Sequence, residues 1–436
     1  MISGALKTKK PKLELLAPAG NMLKLQTALA YGADAVYLGI PDFSLRVRIN
    51  DFDLKGIKTA LVYAHKQGKC VYITVNIFAH NQHFSKLEAY LKKLKPLDVD
   101  AFIVADPGVL SLIKKIIPRA EIHLSTQANC TNLGAARFWF KQGVSRIVLG
   151  REVTLEEIKA IHRALPKLEL EYFVHGAMCM AYSGRCFLSK MFVGRSGNLG
   201  DCAQPCRWQY DVNRYTVKAR GHEEELELVE EEHGTYLLNS KDLCLLKYLP
   251  DLIKAGVTSF KIEGRAKSVY YQATVCAIYR RALELIAKKT ATPNLKKEFT
   301  YLYKELENKL VHRGYTTGFL LGEKAEQNIA DSHNQSSWEF CGQVLSAVKD
   351  KDGKLNLLFK VHNTIKVGDE LEIIGRNYDI ISLKLKQLKS AQTGEELLEA
   401  HGGGGAQECL IQLGENVILP EFAVIRRKLK SEIKKN

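Results

Sequence analysis

"LELLAPAGNMLKLQTALAYGADAVYLGI", residues 13 to 40, decides the fold. A short apolar run closes on Ala19 and Gly20, a segment with apolar residues three and four apart follows, and a second apolar run opens at Ala35. The order strand, helix, strand makes the two strands parallel, because a helical crossover returns the chain to the same edge of the sheet. The unit then repeats. Strand-like runs "LELLAPAG" (13–20), "AVYLGI" (35–40), "VYITVNIF" (71–78), "AFIVAD" (101–106), "EIHLSTQA" (121–128), "RIVLGRE" (146–152), "LEYFVHG" (170–176) and "SFKIEGR" (259–265) alternate with helical segments, the last being "VYYQATVCAIYRRALELIAKK" (269–289). Eight repeats predict an α/β fold, a closed TIM-like (β/α)8 barrel over residues 1–290, in preference to an open sheet.

Barrel enzymes hold their chemistry where the strands end and the βα loops gather. In this chain those ends carry Asn76, Asp106, Gln127, Arg151, Glu152, His175, Glu263 and Arg265. His175 and Glu263 are the candidates for proton transfer: imidazole is the natural base near neutral pH, and both residues flank the longest loop. Gln127 and Glu152 are candidate substrate-binding groups. Arg46 and Arg48 follow strand two on the same face, and with Arg207 they are candidates for bidentate contacts to phosphate or carboxylate.

The interval between strands seven and eight is far longer than the others. A return helix is expected in "KDLCLLKYLPDLIKAG" (241–256), which leaves an insertion at about 177–240 over the mouth of the barrel. Beyond the barrel, residues 291–336 read as a helical connector. Residues 337–436 read as short alternating strands between Gly, Asp and Asn turns, a small antiparallel β-barrel domain.

The insertion holds Cys179, Cys186, Cys202 and Cys206, four of the ten cysteines in the chain. Their spacing is C-x6-C-x15-C-x3-C, with Gly184, Gly194, Gly197 and Gly200 between them to let the loop fold tightly around something small. Four thiolates in irregular loop spacing suit a [4Fe-4S] cluster. Structural zinc is the alternative, although its ligands tend to come as two tight pairs and only the second pair here is tight. Cys244, on the expected return helix, is a candidate replacement ligand. Disulfides are not expected, because no secretory signal or membrane-spanning run is evident, and a soluble cytoplasmic protein keeps its thiols reduced.

Formal net charge is +15, which favours an anionic partner such as RNA. Residues 337–436 carry 15 Lys and Arg against 14 Asp and Glu, so the barrel holds nearly all of the excess. Signatures of the common hydrolases, H-E-x-x-H and G-x-S-x-G, are absent from the sequence.

The stretches "LLAPAGNMLKLQTALAYGADAVYLG", "HLSTQANCTN", "YFVHGAMCMAYSGRCFLS", "CAQPCRW", "LNSKDLCLLKYLPDL" and "FKIEGRAKSVYY" resemble, in this order, the collagenase-like U-type peptidase family. The resemblance spans the barrel and, through "RGYTTGFLLG", reaches the C-terminal domain. It implies one of two activities. The first is the collagenase-like, metal-dependent proteolysis for which the family was named. The second is oxygen-independent hydroxylation of tRNA wobble uridine, a large-subunit rRNA cytidine or a ubiquinone precursor, with a [4Fe-4S] cluster held by cysteines. By the same resemblance the ligands are Cys179, Cys186, Cys202 and Cys206, with Cys206 the position that some branches exchange. Length and the small β-domain are most similar to the branch that makes 5-hydroxyuridine in the tRNA anticodon loop. That branch implies prephenate as a co-substrate.

Overall fold

The computed structural model describes residues 13–45, 50–179, 181–208, 216–218, 225–227, 239–289, 291–322, 326–328, 333, 334, 336–349, 354–403, 407–413 and 419–429. All eight expected barrel strands are present: β1 (Glu14–Pro18), β2 (Ala35–Gly39), β3 (Cys70–Val75), β4 (Ala101–Val104), β5 (Ile122–Leu124), β6 (Arg146–Val148), β7 (Glu169–Ala177) and β8 (Val257–Ile262). Each pairs in parallel with the next, and β8 pairs with both β7 and β1, so the sheet closes on itself. Helices α1 (Met22–Ala30), α2 (Leu54–His65), α3 (Asn81–Leu94), α4 (Pro107–Ile116), α5 (Leu133–Lys141), α6 (Leu155–Ala164) and α7 (Leu249–Ala255) follow the strands. Short polar residues start several of them: the side chains of Asn21, Asp53, Asp106, Asn132 and Thr154 each accept a backbone N–H of the first helical turn.

Alternation along the strands divides two cores. Leu16, Ala35, Tyr37, Cys70, Tyr72, Ala101 and Ile103 pack inside the barrel, while their neighbours Leu15, Val36, Leu38, Val71 and Phe102 face the helices. Deeper in the interior, charge replaces hydrocarbon. Arg146 is 2% exposed and bonds Glu14, Glu169 and Glu171. Ser259, level with Glu14 and Glu171 in the register, places its single hydroxyl proton between them, its Oγ 2.9 Å from Glu14 and 3.2 Å from Glu171. Tyr72 donates to Glu14 at 2.6 Å, and Lys261 to Glu171 at 2.6 Å.

The expected return helix differs at its start. Asp242–Cys244 is a strand that pairs antiparallel with the end of β7, Cys244 opposite His175, and after a 3-10 turn at Leu246–Tyr248 the α-helix begins at Leu249 with Pro250 in its first turn. The long β7 exposes an unpaired edge above the barrel, and this strand satisfies its backbone groups.

Helix α8 (Val269–Ala287) is buried through most of its length, since it lies between the barrel and the rest of the chain. Helix α9 (Thr292–Lys309) leads to a seven-stranded antiparallel sheet that curves into a half-barrel. Its long strands are β9 (Trp338–Lys349), β10 (Leu355–Val361), β11 (Glu370–Ile374), β12 (Ile380–Lys384), β13 (Glu408–Leu413) and β14 (Val424–Lys428). This domain has its own core around Leu357, Phe359, Leu371 and Ile425. It is tied to the barrel by Tyr31, whose buried hydroxyl donates to the Ile374 carbonyl at 2.8 Å and accepts from the Val424 N–H at 3.1 Å. Arg426, fully buried, bonds Glu372 and the Tyr378 hydroxyl of its own domain and reaches out of it to Glu305 of α9 and the Tyr270 hydroxyl of α8.

Candidate functional site

A cavity of about 160 Å³ opens at the C-terminal mouth of the barrel. Its floor is Tyr37, Thr74, Ile103, Phe173 and Lys261; its walls include Asn76, Gln127, Arg151, Glu152, Glu263 and Arg265 from the strand ends. The insertion closes over it with Cys179, Cys186, Cys202, Cys206 and Arg207. Strand-end polar groups and all four clustered cysteines therefore share one space.

Loop geometry explains this convergence. Glu152 accepts from the Ser183 N–H at 2.8 Å and from its hydroxyl at 3.1 Å, clamping the Cys179–Cys186 loop onto the end of β6. Gly184 lies at φ +74, and a Cβ there would run into the Gln127 carbonyl, so the loop rests directly on the turn after β5. Asn129 secures the same loop by donating to the Ser183 carbonyl at 3.0 Å. Glu152 thus holds the cysteine loop as well as lining the cavity.

Among the described residues, no group of three or more His, Cys, Asp and Glu side chains stands in metal-holding geometry. The four thiols are nonetheless near enough to act on one another electrostatically: burial pushes Cys186 and Cys206 up, and the neighbouring cysteines add to it, while Arg207 draws Cys206 back. None of the ten cysteines forms a disulfide. As a donor set, four soft thiols at one cavity fit iron or zinc. Cys244 is elsewhere. It is buried against the Tyr279 hydroxyl at 3.8 Å, its thiol is pushed up to about 11 by burial, and it does not line the cavity.

His175 corrects a sequence expectation. The register between β7 and β8 slips between Phe173 and His175, so Phe173 faces the cavity and His175 turns to the outer side of the barrel. There it is 1% exposed among the rings of Tyr271, Tyr279 and Tyr315. Burial lowers its imidazole to about 3, which leaves it neutral and away from any substrate in the mouth. Asp106 also leaves the ring of cavity groups, as the N-cap of α4, accepting from Val109 N–H at 2.9 Å. Arg46 and Arg48 lie outside the described residues.

The remaining candidates meet. Glu263 Oε2 lies 3.4 Å from the Tyr37 hydroxyl, which also donates to the Ile262 carbonyl at 3.0 Å. Burial raises the Tyr37 phenol well above its ordinary value, so it stays a donor beside this carboxylate. Arg265 reaches the Leu45 carbonyl, and the guanidinium of Arg151 stacks 3.9 Å above the Phe173 ring. Arg207 donates to Gln204, and its buried Nε has no hydrogen-bond partner among the described residues. Tyr37 and Lys261, which are not among the candidates the sequence offers, also line this space. Lys261 sits 4.4 Å above the Tyr37 ring, and a lone lysine between Phe260 and Ile262 in an apolar strand is the signal that points to it.

Comparisons with known proteins agree with this architecture. Residues 20–330 match the model of Peptidase family U32, and residues 336–426 match that of the Peptidase family U32 C-terminal domain. The chain is 38% identical over 435 residues to tRNA hydroxylation protein P of Escherichia coli (strain K12), covering 90% of this chain and 92% of that protein. It is 35% identical over 368 residues to 23S rRNA 5-hydroxycytidine C2501 synthase of the same organism, covering 83% of this chain and 52% of that enzyme. A protein named collagenase, from Porphyromonas gingivalis (strain ATCC BAA-308 / W83), is 31% identical over 390 residues, covering 86% of this chain and 90% of its own length. With both models matched in chain order on a closed barrel and its appended sheet, the chain belongs to peptidase family U32.

Proposed function

We propose that this protein is an RNA hydroxylase that converts a tRNA wobble uridine to 5-hydroxyuridine in the cytoplasm, without molecular oxygen. The observation that carries the reading is the single cavity shared by four cysteines and the strand-end polar groups. Its support in sequence is a relative named for tRNA hydroxylation that aligns over nearly its whole length, whereas the rRNA synthase matches over only half of its own. The net charge of +15 suits a polyanionic substrate.

Cys179, Cys186, Cys202 and Cys206 would hold a [4Fe-4S] cluster, which when bound supplies redox or Lewis-acid chemistry at the mouth of the barrel. The protein groups have separate tasks. A base can be modified here only after leaving its stack, and the cavity receives it between the strand ends. Glu263 is the proton-transfer group, with Tyr37 orienting it. Gln127 stands where it can read the edge of a base, and Arg151, Arg207 and Arg265 provide cationic contacts for a phosphate or for the carboxylates of prephenate, the proposed co-substrate. Peptidase chemistry is the weaker reading, because the one histidine expected at the mouth is buried, neutral and turned away.

Nucleoside mass spectrometry of tRNA from a strain lacking the gene tests this assignment. Loss of 5-hydroxyuridine, restored by the wild-type gene, is the expected result. Unchanged 5-hydroxyuridine together with gelatin cleavage by the purified protein would return the chain to the peptidases.

A further inference from the structure

Four of the six exposed large aromatic side chains among the described residues, Tyr182, Phe187, Phe192 and Trp208, fall within one stretch of the insertion. Phe187 is 68% exposed, and Met191 beside it 79%. Phe192 and Trp208 meet edge to face at 6.3 Å between centroids. Solvent exposure of so many large rings costs free energy, and a grouped set marks a binding surface.

Its position identifies the occupant. Tyr182 lines the cavity, Phe187 lies between the cavity-lining residues Cys186 and Leu188, and Trp208 follows the cavity-lining Arg207. The rings are therefore carried by the segment that closes over the cavity, Tyr182 lining it. Charge narrows the choice further: residues 181–208 carry Arg185, Lys190, Arg195 and Arg207 against Asp201 alone. Flat rings interleaved with cations are the chemistry of single-stranded nucleic acid, where bases stack on aromatic faces and cations follow the backbone.

We infer that this aromatic rim is a stacking platform for the unpaired nucleotides that flank the target base. Extruding one base removes the stacking of its neighbours, and rings at the edge of the receiving cavity replace it. The inference rests on the proposed RNA substrate and adds to it that recognition is of an unpaired loop, by stacking at Phe187 and Trp208 in particular.

The test uses the full-length protein, purified anaerobically, and a labelled RNA hairpin with an unpaired loop, compared with the same loop sequence annealed into a duplex. Binding is read by anisotropy across a salt series. Phe187→Leu and Trp208→Leu keep an apolar side chain but remove the ring, and each is expected to weaken hairpin binding roughly ten-fold, the scale of one lost base stack. The slope of affinity against salt is expected to stay unchanged, since no phosphate contact is removed. Phe187→Tyr is expected to retain wild-type affinity. Unaltered hairpin binding in both Leu variants overturns the platform, as does an equal loss for hairpin and duplex, or a loss of vesicle or protein association with RNA binding intact. Should hairpin binding behave as expected while tRNA from the deletion strain keeps its 5-hydroxyuridine, the platform stands and the hydroxylase assignment fails.

Discussion

Replacing Arg146 by Met should destabilise the barrel and reverse part of its acid response. The guanidinium is 2% exposed and neutralises two buried carboxylates, Glu14 and Glu171. Burial alone would raise the Glu14 carboxyl, but the Arg146 charge and hydrogen bonds from Arg146, Tyr72 and Ser259 bring it from 4.5 to about 2. That depression is worth about 3 kcal/mol of stability. The contribution is fully present above the unfolded value and is lost as pH falls toward 2. In Arg146→Met, Lys261 still pairs with Glu171 at 2.6 Å, but Glu14 is left buried against neutral donors. Removing one partner of a buried pair costs about 3–5 kcal/mol. With burial now dominant, the Glu14 carboxyl rises above its ordinary value, and its penalty is relieved on acidification. Urea unfolding followed by circular dichroism at pH 7.5 and pH 5 measures both effects. The variant is expected to be less stable by several kcal/mol at pH 7.5, with a smaller gap at pH 5. A loss under about 1 kcal/mol, or a gap independent of pH, would refute the account of the barrel interior.

Other perturbations separate roles elsewhere. Cys206→Ala, but not Cys244→Ala, should abolish iron retention in anaerobically purified protein, measured by iron content and visible absorbance. Glu263→Gln should lower hydroxylation about 100-fold or more, the usual contribution of a proton-transfer group, in a tRNA modification assay. His175→Phe should leave turnover within a few-fold of wild type. It should also flatten the acid limb of stability below pH 6.5, because in wild type the unfolded imidazole takes a proton that the folded one, lowered to about 3, refuses. Tyr31→Phe strands the Ile374 carbonyl and the Val424 N–H, a cost of about 1–3 kcal/mol, which calorimetry should show as a lower melting temperature.

The barrel could be read from the sequence because its signal repeats: each strand is a short apolar run, and most turns into a helix carry a cap such as Asn21 or Thr154. The cysteine loop could be placed over the mouth by counting strands. What could not be read was orientation. His175 sits on an in-facing position by simple alternation, and only the slipped register beside Phe173 turns it outward. Nor does spacing show that Glu152 clamps Ser183, since the partners are 31 residues apart and on different loops. The interior ion network escaped for a related reason. Glu14, Arg146, Glu171 and Lys261 look like stray charges in separate apolar strands, and they become one cluster only when the sheet closes.

The central claim is most directly tested with purified, iron-loaded protein, prephenate and tRNA from a strain lacking the gene, incubated without oxygen. Mass spectrometry of the anticodon-loop fragment is expected to show the gain of one oxygen on the wobble uridine with wild-type protein and none with Cys179→Ala, Cys186→Ala. Equal conversion by that variant, or an unmodified fragment with the iron-loaded wild type, would contradict it.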